Sequence, residues 1–98
     1  MIFVSKKSGV DPEGYSAMAE EMSTLAAQQD GYVDAESVYD PVTQRGITVS
    51  YWRDLESIRK WKANARHQEA QAGGKRTWYS GFQLHVAKVE RSSKMSKL

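Results

Sequence analysis

The sequence predicts an α+β domain in the order β-α-β-β-α-(α)-β, an antiparallel sheet with its helices on one face. Three stretches carry that prediction. Asp11-Pro12 opens a run with Tyr15, Met18, Met22 and Leu25 at helical spacing. Two β-rich runs, Tyr32–Tyr39 and Ile47–Trp52, bracket a turn that begins at Asp40-Pro41. Phe82, Leu84 and Val86 alternate with Gln83, His85 and Ala87.

Taken in order, Ile2, Phe3 and Val4 begin a strand over residues 2–7. Asp11 is placed as N-cap of a helix over 12–28, with Pro12 at its first position and Glu13 near the positive end of the dipole. Ala19 and Ala26 fill the same face as Met18 and Met22, and Asp30-Gly31 ends the helix. On the second strand, alternation sets Val33, Ala35 and Ser37 on one face and Tyr32, Asp34, Glu36 and Val38 on the other. Gly46 closes the turn, and Ile47–Trp52 returns antiparallel as the third strand.

Asp54 caps the next helix, whose core face is marked by Leu55, Ile58 and Trp61. At about 100° per residue, one straight helix carries His67 and Gln71 away from that face. A break over residues 62–65 is therefore expected, with Asn64 capping a shorter helix that runs to Ala72. His67 and Gln71 then form an i, i+4 pair that can turn inward. Gly73-Gly74 ends this segment, and a last strand is expected over 80–90. Residues 1–91 read as the domain and 92–98 as a disordered Ser/Lys-rich tail. The order is the ferredoxin-like split arrangement. It leaves one sheet face uncovered, and a symmetric homodimer is the simplest way to cover it.

Composition narrows the function. Ninety-eight residues make one domain with a modest core. A net charge of +2 with dispersed basic residues is too weak for a nucleic-acid footprint. With no Cys, disulfides, thiolate catalysis and Cys-bound metals are excluded. No apolar run reaches the length of a membrane span and no secretory signal is present, so a cytoplasmic protein is expected.

The motifs Gly46-Ile-Thr-Val-Ser-Tyr-Trp52, Ile58-x-x-Trp61, His67-x-x-Ala70-Gln71, Trp78-Tyr79 and Val86-Ala-Lys-Val-Glu-Arg91 resemble the antibiotic-biosynthesis-monooxygenase (ABM) domains, over roughly residues 1–91. The resemblance implies a dimeric α/β barrel with a pocket between sheet and helices in each subunit. Some characterised members oxidise aromatic polyketides or quinols with molecular oxygen and no cofactor. Others bind and open haem, and many have no assigned substrate.

Cofactor-free oxygenation needs an electron-rich acidic substrate, an aromatic pocket and one base. Tyr51, Trp52, Trp61, Trp78 and Tyr79 are candidate walls around a small aromatic substrate. His67 is the neutral-pH base of the region, and Asn64 and Gln71 are candidates to hold a substrate oxygen. Each has a plain structural reading beside it: Trp61 as core, Asn64 as helix cap, His67 as a surface residue. His85 falls on the polar face of the last strand, at solvent or a dimer seam.

Haem is the alternative cofactor. Haem-degrading members carry an Asn on the first strand, a Trp on the second helix and a proximal His ten residues after it. Here Trp61 matches, but residue 71 is Gln and Ile2–Lys7 contains no Asn. A dimeric binding module without catalysis is the third reading. The closing Ser96-Lys97-Leu98 matches a peroxisomal address in a eukaryotic source, whereas the family is mainly bacterial.

Overall fold

The computed structural model describes the backbone of residues 1–72 and 78–95 and the side chains of residues 1–65 and 78–95. Its elements are β1 (Ile2–Lys7), α1 (Pro12–Ala27), β2 (Tyr32–Asp40), β3 (Arg45–Trp52), α2 (Leu55–Ala72) and β4 (Tyr79–His85). The strands form one antiparallel sheet in the order β2-β3-β1-β4. This is the expected α+β, ferredoxin-like arrangement, with β1 and β3 central and both crossover helices against the same face.

Local chemistry sets the boundaries. Asp11 accepts a hydrogen bond from the Gly14 amide at 3.2 Å, which caps α1, and Pro12 takes the first turn. Tyr15, Met18, Met22, Leu25 and Ala26 form the half-buried stripe of α1. After α1, Gly31 turns the chain at φ +89°. A Cβ there would overlap the Ser57 side chain, so the glycine is required by both backbone and space. In the β2–β3 turn the left-handed residue is Gln44, at φ +65°, and Asp40 accepts from the Val42 amide at 2.9 Å. Gly46, expected to close this turn, lies inside β3, paired with Ser5 and Tyr39. Asp54 caps α2, accepting from the Ser57 amide at 2.8 Å and the Ser57 hydroxyl at 2.7 Å. Arg53 grips both Asp30 oxygens at 3.1–3.2 Å, tying the end of α1 to the start of α2.

Two expectations are corrected. The first is the helix break: α2 runs without interruption from Leu55 to Ala72. Residues 62–72 hold four alanines and other helix formers without Gly or Pro, and an established helix gains a hydrogen bond for each residue added. Asn64 is therefore a helix-interior residue, not a cap. The face was also misread. Leu55 is 66% exposed, whereas Ser57, Ile58 and Trp61 are buried. The second correction is Tyr32. A bulge between Tyr32 and Asp34 shifts the register, pairing Tyr32 with Trp52 and Asp34 with Tyr51. Tyr32 thus shares the helix-covered face with Trp52, while Asp34, Glu36 and Val38 occupy the open face.

The last strand is shorter than expected, ending at His85, and residues 86–95 have no regular structure. Residues 96–98, which carry the peroxisome-like tripeptide, lie outside the described residues. No helix among the described residues is long and apolar enough to cross a membrane.

Among the described residues, the buried apolar ones are Ile58, Trp61 and Trp78. The open face carries Ile2, Val4, Val38, Ile47, Val49 and Tyr51, of which Val38 is 69% exposed.

Three surface aspartates contribute to the pH dependence of this fold. Hydrogen bonds lower the carboxyl pKa values of Asp30 (from Arg53), Asp40 (from the Val42 amide) and Asp54 (from the Ser57 hydroxyl). Each group is more acidic folded than unfolded. Their ionisation therefore favours the fold above the ordinary aspartate value of about 3.9, and that benefit is lost as pH falls through the lower folded values. Thermal melts from pH 6 to 2 are expected to show a decline beginning near pH 4. The variant with Asn at all three positions should decline less steeply, and an unchanged slope would overturn the assignment.

Candidate functional site

The helix-covered face of the sheet is built from alternate residues: Phe3, Ser5 and Lys7 of β1, Gly46, Thr48, Ser50 and Trp52 of β3, Ala35, Ser37 and Tyr39 of β2, and Phe82 and Leu84 of β4. Its centre is made of small and hydroxyl-bearing side chains, and its two ends are aromatic. This face is the floor of the helix–sheet interface.

At one end Trp52 and Trp61 stack with centroids 6.0 Å apart and planes inclined by 21°. Tyr32 meets Trp52 edge-on at 5.5 Å. The Trp52 indole N–H donates to Ser50 Oγ at 2.8 Å, which fixes the ring and satisfies a serine only 6% exposed. Beside it, the Ser37 and Thr48 hydroxyls bond at 2.7 Å.

At the other end Phe3 lies against Tyr79 and Phe82, and Tyr79 against Tyr15, with centroids 5.6–6.3 Å apart. The Lys7 ammonium stands over the rings of Tyr15 at 4.4 Å and Tyr39 at 4.6 Å. Tyr39 is itself anchored, its hydroxyl donating to Gln44 Oε1 at 2.8 Å. Trp78 is buried and donates from its indole N–H to Asp11 Oδ2 at 3.4 Å.

The residues expected from the sequence divide accordingly. Trp52 and Trp61 come together; Tyr79 joins the second aromatic group, and Trp78 locks the start of α1. Tyr51 belongs elsewhere: it pairs with Asp34 on the open face, 40% exposed, because adjacent strand residues point to opposite sides. Asn64 is half-buried, about 60° round the α2 axis from Trp61 and so at the edge of the inward face. The side chains of His67 and Gln71 lie outside the described residues. Sequence reasoning missed Ser5, Lys7, Tyr39 and Ser50. Period-two alternation groups Phe3, Ser5 and Lys7, but it does not say which face the helices cover. Among the described residues, no group of three or more His, Cys, Asp or Glu side chains could hold a metal ion.

Comparison with known proteins places this geometry. No family model matches the chain. Two solved structures share the fold. One is PA3566 of Pseudomonas aeruginosa, with a TM-score of 0.67, 12% identity and coverage of 89% of this chain and 91% of that one. The other is SnoaB of Streptomyces nogalater, described as a cofactor-independent oxygenase, with a TM-score of 0.65, 15% identity and coverage of 92% and 94%. The jasmonate monooxygenase ABM of Pyricularia oryzae is 24% identical over 100 residues, and this chain spans 46% of its length. The uncharacterised protein YqjZ of Bacillus subtilis is 44% identical over 91 residues, which cover 93% of this chain and 78% of that protein. Identity of that extent, over nearly all of the chain, makes it a member of the YqjZ family.

Proposed function

We propose that the protein is a small ABM-type monooxygenase that oxidises an electron-rich aromatic or quinol with molecular oxygen, without a metal or prosthetic group. The observation that carries this reading is the aromatic group on the helix-covered face, with Trp52 and Trp61 stacked beside the buried Ser50 hydroxyl. Stacked indoles hold an aromatic ring by dispersion and area burial, and the exclusion of water strengthens polar contacts to the substrate oxygen. The likeness to SnoaB and to the fungal monooxygenase supports the reaction class.

In this reading the substrate hydroxyl gives its proton to His67. The resulting anion passes one electron to dioxygen, and the radical pair closes a carbon–oxygen bond. Loss of water from the hydroperoxide leaves a carbonyl, with one oxygen atom in product and the other in water. Both reducing equivalents come from the substrate. Trp52 and Trp61 hold the ring, Asn64 and Gln71 orient its oxygen, and Trp78 and Tyr79 close the far side. Tyr51 is dropped from the substrate set because it lies on the other face.

The test is an oxygen-uptake screen on hydroquinones and anthrones beside an optical haem titration. Uptake linked to quinone formation in metal-free, haem-free protein is expected. A stoichiometric Soret band that vanishes in His67→Ala would overturn the cofactor-independent reading in favour of haem.

The reading includes a homodimer. The open face is an apolar sheet surface of the kind that two subunits cover by packing sheet on sheet. Light scattering at micromolar protein is expected to give twice the 11.1 kDa chain mass, and a monomer would overturn it.

A further inference from the structure

The covered face of β1 presents Phe3, Ser5 and Lys7 in line, with successive Cα atoms about 6.7 Å apart. The three are chemically graded: an aromatic ring, a hydroxyl, a cation. Ser5 is only 6% exposed, yet its hydroxyl has no hydrogen-bond partner among the described residues. Its oxygen is not wholly sealed from solvent, so a ligand atom can reach it. Lys7 is half-buried and pairs with no carboxylate among the described residues; the Tyr15 and Tyr39 rings hold it instead. The two groups are linked through the row Ser5–Gly46–Tyr39. A Cβ at Gly46 would stand 3.6 Å from Tyr39 Cδ1 and 3.7 Å from Ser5 Oγ, so the glycine leaves side-chain room between them.

We propose that this end of the helix-covered face binds the carboxylate of a small aromatic acid, with Lys7 Nζ as counter-ion, Ser5 Oγ as hydrogen-bond donor, and the Phe3–Tyr79 cluster against the ring. One ammonium and one hydroxyl match the two oxygens of a carboxylate, whereas a phosphate would need more donors. The assignment rests on this face being the substrate site and narrows its substrates to acids.

Isothermal titration with 2-naphthoate and its uncharged counterpart 2-naphthamide tests it. The carboxylate should bind at least about tenfold tighter than the amide. Lys7→Met, which keeps the apolar stem, should remove that preference and leave naphthamide affinity within about twofold; Ser5→Ala should weaken naphthoate about three- to tenfold. Equal affinities for the two ligands, no binding of either, or an unaffected preference in Lys7→Met overturns the proposal. If Lys7→Met fails to fold by circular dichroism, Lys7→Arg decides: it must retain the preference, and its loss overturns the site. Oxygen uptake on quinols is read separately. Uptake without carboxylate preference removes this site alone; carboxylate preference without uptake removes the oxygenase reading alone.

Discussion

Trp61→Ala is expected to lower the stability of the fold by about 3–5 kcal/mol, the usual cost of emptying a buried aromatic site. Trp61 is one of three buried apolar residues among those described, and it is the face on which Trp52 stacks. A domain of this size holds roughly 5–15 kcal/mol in all, so the variant should melt far below the parent or fail to fold. Removal of the indole leaves a void between α2 and β3, and Trp52 loses its stacking partner while keeping its bond to Ser50. Trp61→Phe fills most of that void and should lose much less. Urea denaturation monitored by circular dichroism separates the two. Equal stability of parent and Trp61→Ala would mean that the helix–sheet contact does not hold the fold.

His67→Ala is expected to reduce turnover by about 10²–10⁴-fold, the range for loss of a general base, while the melting temperature stays near the parent's. A neutral imidazole, with an ordinary pKa near 6.5, is mostly unprotonated at neutral pH and can accept the substrate proton. α2 continues through position 67 beyond the inward face marked by Trp61. Asn64, closer to that face, is the comparison. Asn64→Ala should cost about 10²–10³-fold if its amide steadies the developing oxyanion. Loss in Asn64→Ala with an unchanged His67→Ala would move proton acceptance away from His67; parent-like rates in both would remove α2 from the chemistry.

The order of elements was legible because each start has a strong local signal: Asp11-Pro12 for α1, Asp54 for α2, alternation for β4. What escaped depended on tertiary geometry. The supposed break in α2 came from wanting His67 and Gln71 turned inward with Trp61, when the sequence of residues 62–72 simply continues the helix; separately, the buried residue of the first turn is not Leu55 but Ser57, bonded to its cap. Tyr32 was set on the wrong face because one extra residue in β2 inverts the alternation upstream of it, and no residue type announces a bulge. Of the site, the Trp52–Trp61 pair could be guessed from composition. Ser5 and Lys7 could not, since an isolated serine and lysine on a short strand look like solvated surface until the helices lie over them.

The bulge at β2 also bears on how the molecule avoids polymerising. An outer strand with a straight row of free amides invites the same strand of another molecule to extend the sheet. Here the irregularity between Tyr32 and Asp34 twists the start of that strand, and Asp34, Glu36 and Asp40 line its length with negative charge. Copies approaching along this border meet a kinked ladder and like charges. Growth by strand addition, the first step toward fibrils, is therefore disfavoured at β2.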